Sequence, residues 1–167
     1  PGVHRDKCPL PSAEKHRRTA EMVAQIHNVF GTGYGYVQNG LYENWADAYI
    51  SMIENLLADA RRMGKTSRRG QRLLAYARQY RAVLATAPCV MVNFDLWSSN
   101  ILCHTVDGQT RFAWIDPERS LWGDPVLDFL PLESFTAPLD KKILSLAAHN
   151  SLCRVPVQVN RETRLRY

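Results

Sequence analysis

Apolar residues recur at helical spacing through the first half of the chain. After Pro11 and Ser12, the residues Met22, Val23, Ile26, Val29 and Phe30 fall on one stripe and predict a first helix. A second helix is predicted after Asn44, a residue type that caps helices well. Trp45, Tyr49, Ile50, Ile53, Leu56, Leu57 and Ala60 share its apolar face. A third is predicted from Thr66 or Ser67, with Leu73, Ala77, Tyr80, Val83 and Leu84 inward and an Arg-rich face outward. The period then shortens. Cys89 to Phe94 is apolar apart from Asn93 and reads as a buried strand.

Ile101 to Val106 and Arg111 to Ile115 flank Asp107-Gly108, the strongest hairpin signal in the chain. Helical patterns return at 125–132 and 139–149, and a further helix start follows Asn160 over Arg161 to Tyr167. Helices, a strand, a hairpin and more helices predict an α+β fold, mostly helical, with one small sheet. The length of 167 residues suits a single domain over 1–167.

The chemistry-bearing residues gather where the period changes. Asp95 ends the predicted strand, and Asn100 opens the next one five positions later. If Asp107-Gly108 is a two-residue turn, Val106 pairs with Gln109. Counting back along the ladder then sets Asn100 opposite Ile115, beside Asp116; a bulge would shift this by one. Asp95, Asn100 and Asp116 thus converge at one end of the sheet. Carboxylate and carboxamide oxygens suit a hard cation such as Mg²⁺, which also binds substrate phosphates. A further carboxylate can accept or orient the proton of an attacking hydroxyl. For these residues the plainer reading is turn and cap chemistry, which Asp and Asn also favour.

Two segments carry a family resemblance: Asn93 to Leu102 (NFDLWSSNIL) and Trp114 to Asp128 (WIDPERSLWGDPVLD). Together they resemble the aminoglycoside phosphotransferase and choline kinase superfamily, covering only the C-terminal lobe of such an enzyme. The resemblance implies a protein-kinase-like fold, ATP as co-substrate, Mg²⁺, and a small-molecule hydroxyl as acceptor, such as an aminoglycoside, choline or a sugar. It implies that Asp95 is the catalytic residue and that Asn100 and Asp116 hold Mg²⁺ and nucleotide. Asp124 is implied to brace the catalytic loop, with Asn93 as a second support. The family often has His-Gly before its catalytic Asp, where this chain has Asn93-Phe94. Asn replaces part of the hydrogen bonding of His but holds no proton. Asp116 is followed by Pro117-Glu118 instead of an aromatic residue and Glu.

Composition narrows the partners. Lys and Arg number 21 against 16 Asp and Glu, for a net charge of +5. This favours anionic partners such as nucleotides, and solvated basic helix faces account for it equally well. Arg61, Arg62, Lys65, Arg68, Arg69 and Arg72 read as solvated surface, not a nucleic-acid site. No apolar run is long enough to span a membrane. Cys8, Cys89, Cys103 and Cys153 form no Cys-x-x-Cys pair and read as reduced thiols, which fits a cytoplasmic setting.

The glycines Gly31, Gly33 and Gly35 imitate a kinase phosphate loop, but a helix precedes and another follows. They read as an interhelical loop. Trp45 and Trp114 read as core, and Trp97 lies inside the loop after Asp95. His27 reads as a packed histidine, and His4, His16, His104 and His149 show no metal-ligand spacing. Asp128 reads as a cap or first-turn carboxylate. No strand-borne Lys with a glycine loop precedes Gly31, and Pro1 stands where an initiator Met is expected, so the chain is expected to be part of a longer polypeptide that completes the nucleotide grip. The alternative function is a non-catalytic module, either pseudokinase-like or a basic binding domain.

Overall fold

The computed structural model describes residues 2–129 and 139–158. Its elements in chain order are β1 (Val3–His4), α1 (Ser12–His27), α2 (Trp45–Arg62), α3 (Arg68–Gln79), α4 (Arg81–Leu84), β2 (Val90–Val92), β3 (Ile101–Val106), β4 (Gln109–Trp114), β5 (Leu121–Gly123) and α5 (Leu139–Leu152). The fold is α+β with small antiparallel sheets, as the alternating periods require. The expected helix beyond Asn160 lies outside the described residues, as do residues 130–132 of the 125–132 pattern, while the helix expected over 139–149 is α5. The 125–132 pattern begins as a 3-10 turn at Pro125–Asp128.

Local chemistry sets the helix starts. Asn44 Oδ1 accepts from the Asp47 amide at 3.0 Å, and Ser67 Oγ accepts from the Gly70 amide at 3.0 Å. Each bond satisfies one of the orphan donors of a first helical turn. Two helix ends differ from expectation. α1 stops at His27, so Val29 and Phe30 leave its stripe. Their backbone is used elsewhere: Met91 donates to the Val29 carbonyl at 2.9 Å, and Gly31 donates to the Cys89 carbonyl at 3.1 Å. The third helix breaks at Tyr80, whose ψ of 23° is not helical, before α4 carries Leu84 into the core.

The expected single sheet is two. The hairpin β3–β4 pairs in the predicted register, Val106 with Gln109 through Ile101 with Trp114, and β1 adds to its outer edge. β2 pairs instead with β5, Val90 opposite Gly123 and Val92 opposite Leu121. The glycine explains why β5 can sit there. A Cβ on Gly123 would lie 2.7 Å from the Trp45 ring, so only glycine lets this strand rest on the core tryptophan.

Trp45, fully buried, centres the main core with Ile53, Leu57, Leu84, Val90, Val92, Leu121 and Leu127. Trp114, expected in the core, is only partly buried against a second cluster formed by Val23, Leu96 and Ile101. α1 packs along α5 and touches β2, which sets the back wall of the candidate site. The glycines at 31, 33 and 35 lie between α1 and α2, as expected. Gly35, at φ 104°, donates to the Trp122 carbonyl at 2.7 Å and so ties that loop to β5.

Candidate active site

The loop from Asn93 to Asn100 is anchored before any functional residue is reached. Leu96 and Ile101 are fully buried and pack with Val23 of α1, pinning the loop from inside. Phe94 has φ 64°, a left-handed conformation that costs a non-glycine residue about 1–3 kcal/mol. The surrounding bonds hold it there. The Asp128 carboxylate accepts from the Phe94 amide at 2.6 Å and from the Asn93 amide at 3.0 Å. Asn93 Oδ1 accepts from the Asp95 amide at 2.9 Å. Asn93 therefore supports the loop, although its buried Nδ2 lacks a hydrogen-bond partner.

Beyond the turn, Asp95 is half-buried. Trp97 donates to its carbonyl at 3.1 Å, and Asn100 donates in turn to the Trp97 carbonyl at 2.9 Å, closing a 3-10 turn at Ser98–Asn100. The buried Asn100 side chain reaches back across this turn. Its Nδ2 donates to the Asp95 carbonyl at 3.1 Å and to Asp95 Oδ2 at 3.0 Å. With both N–H groups committed, Oδ1 is the ligand atom Asn100 has left to offer. Arg119 approaches the other Asp95 oxygen, Oδ1, at 3.8 Å.

The hairpin register brings the third residue alongside. Ile115 donates to the Asn100 carbonyl at 2.9 Å, and Asp116 follows in the left-handed region at φ 59° and ψ 62°. Asp116 is solvent-exposed. The pairing counted from the sequence therefore holds, with no bulge between the turn and Asn100. Asp116 thus follows the residue bonded to Asn100, and all three side chains, Asp95, Asn100 and Asp116, carry oxygen donors.

Asp124 and Asp128 both act at the 3-10 turn beside this loop. The two loop amides are held by Asp128, while Asp124 Oδ1 accepts from the Val126 amide at 3.1 Å and caps the 3-10 turn that positions Asp128. Both carboxylates are fully buried. Asp128 is thus more than a cap or a first-turn charge.

Behind Asp128 stands a network that periodicity does not disclose. His27 Nε2 lies 3.1 Å from Asp128 Oδ2, and His27 Nδ1 lies 2.9 Å from His149 Nε2. His27 is packed, as expected, but it also links α1, α5 and the loop brace. Burial lowers the pKa of His149 to about 4, so its ring is neutral near pH 7.

Trp97 is 42% exposed on the loop surface, and the Arg61 to Arg72 basic cluster is solvent-exposed throughout. Among the described residues, no helix is long and apolar enough to cross a membrane. No protein-family profile matches the chain, and no curated protein is significantly similar to it.

Proposed function

We propose that this chain is the acceptor-side lobe of a phosphotransferase with a protein-kinase-like fold. It would transfer the γ-phosphoryl group of ATP to a hydroxyl on a small molecule. The observation that carries the reading is the Asn100 carboxamide clamped on Asp95 at 3.0 Å while its own oxygen is left to ligate. This arrangement fixes a base and a metal ligand relative to each other before substrate arrives, and positioning of this kind supplies much of the rate in phosphoryl transfer.

In this reading Asp95 Oδ1 receives the hydrogen bond of the acceptor hydroxyl, because Oδ2 is already occupied by Asn100. Asp95 takes the hydroxyl proton as the acceptor oxygen attacks phosphorus. Asn100 and Asp116 would hold Mg²⁺, which when bound neutralises phosphate charge and ties the nucleotide to the lobe. Arg119, exposed, lies 3.8 Å from Asp95 Oδ1, on the side where the acceptor would enter. The nucleotide grip would come from another part of the polypeptide, since Gly31, Gly33 and Gly35 lie in a loop between helices that Gly35 ties to β5.

Titration of Mg·ATP into the protein carrying these residues, followed by a screen of aminoglycosides, choline and sugars for phosphorylated product, tests this. Magnesium-dependent ATP binding and one phosphorylated alcohol are expected. Absence of Mg·ATP binding would overturn the reading and leave a non-catalytic binding module.

A further inference from the structure

The second cluster of ligating side chains lies away from the Asp95 site, where α1 meets the end of α5. His27, His149 and Cys153 bring one ligand atom each within 4.8 Å of one another, and all three residues are buried. Cys153 follows the last residue of α5, and its amide donates to the His149 carbonyl at 2.9 Å. The helical turn is thereby continued, which stacks the two side chains on one face.

Hydrogen-bond accounting fixes which ring nitrogens carry protons. The Asn150 side chain is oriented by Val157, whose amide donates to Oδ1 at 2.9 Å and whose carbonyl accepts from Nδ2 at 2.7 Å. Asn150 Oδ1 is therefore an acceptor, and His149 Nδ1, 2.9 Å away, must be its donor. His27 Nε2 faces a carboxylate oxygen of Asp128 and must likewise be N–H. The remaining nitrogens, His27 Nδ1 and His149 Nε2, then face each other 2.9 Å apart, and a proton or a metal ion must lie between them. Two lone pairs facing each other repel unless a cation joins them.

We infer that His27 Nδ1, His149 Nε2 and Cys153 Sγ form a binding site for a thiophilic divalent cation of the zinc class. Each imidazole is held by an acceptor on its far nitrogen, Asp128 for His27 and Asn150 for His149, an arrangement that orients metal-binding histidines and raises their basicity. Two imidazoles and a thiolate select zinc over magnesium. A tetrahedral ion spaces its donors roughly 3.3–3.8 Å apart, so adjustments of about 1 Å close this cluster around one. A fourth position remains for water or another donor. The ion would staple α1 to α5 directly behind the Asp128 brace. A single proton on His27 Nδ1 would also relieve the repulsion, with the Cys153 thiol donating to the Val155 carbonyl at 3.2 Å. The ion would replace both that proton and the thiol proton.

Cobalt and zinc binding to chelator-stripped protein test the site. One equivalent of Co²⁺ per chain is expected, with a sulfur-to-cobalt charge-transfer absorption that Zn²⁺ displaces. Cys153→Ser, at the end of the helix, should fold normally by circular dichroism and lose that absorption. Asn150→Ala should weaken zinc affinity by about 10–100-fold through loss of the outer hydrogen bond. Nitrogen-15 spectra of the imidazoles give a second readout that does not depend on any variant folding. Metal-shifted resonances for His27 and His149 support the site. Failure to bind zinc, with both nitrogens of His27 protonated, would overturn it, as would cobalt binding with no sulfur band in the wild type.

Discussion

Asp128 accepts a 2.6 Å hydrogen bond from the amide of Phe94, the residue whose φ of 64° turns the chain towards Asp95. A buried carboxylate thus holds a strained residue in place next to the proposed base. Asp128→Ala would strand the amides of Asn93 and Phe94, at about 1–3 kcal/mol for each unsatisfied buried group. Denaturant unfolding should show a large fall in stability. A loss under about 0.5 kcal/mol, typical of an unremarkable surface position, would mean that the loop does not depend on this brace.

Asp95→Asn removes the proton acceptor while keeping shape and the bond from Asn100. Turnover should fall by about 10²–10⁴-fold, the usual worth of general base catalysis, with an unchanged melting temperature. Near wild-type turnover would take Asp95 out of the mechanism.

In the proposed site Asp116 and Asn100 would divide the metal contact unequally, because one brings charge and the other a neutral oxygen. Asp116→Ala should weaken Mg·ATP binding more than acceptor binding. Asn100→Ala should affect both, since it also releases Asp95 Oδ2. Calorimetry that finds the same Mg·ATP affinity in Asp116→Ala as in the wild type would refute the assignment.

The candidate site was legible because it rests on short-range rules. Asp107-Gly108 fixes a two-residue turn, the turn fixes the ladder, and the ladder delivers Asp116 beside Asn100. What was hidden depends on long-range packing. β1 is two residues long and β5 contains a glycine, so neither shows a strand period, and one sheet was expected where there are two. Asp124 and Asp128 differ by four positions in one motif. Only the packing of the 3-10 turn against β2 brings Asp128 to the loop amides. His27 and His149 are 122 residues apart, and no local pattern connects them.

The hairpin turn isolates backbone strain from packing. Asp107 and Gly108 have φ of 51° and 75°, and a Cβ at Gly108 would meet nothing within 4 Å. Gly108→Ala therefore adds no clash and costs only the left-handed conformation, about 1–2 kcal/mol. Asp107→Asn, which tolerates the same region, should be close to neutral. Equal stability of Gly108→Ala and wild type would show that the turn relaxes to another type.

Cys103 gives the chain an alkaline limit. It lies on β3 opposite Val3 and is buried, and burial, then the adjacent Cys8 side chain, push its thiol from an ordinary 9.0 up to about 11. Lys15 opposes this shift only weakly. The folded state therefore holds a proton that the unfolded chain releases near pH 9. A group raised in this way contributes stability that is complete below about pH 9 and is lost as pH climbs through 11. Melting temperature should decline across that window, and Cys103→Ala should make the decline shallower while lowering stability at pH 7. At pH 8 the thiol stays protonated and buried, so iodoacetamide should label Cys103 in urea but not in the native protein. Rapid native labelling at pH 8, read by peptide mass, would show that β1 does not cover this thiol.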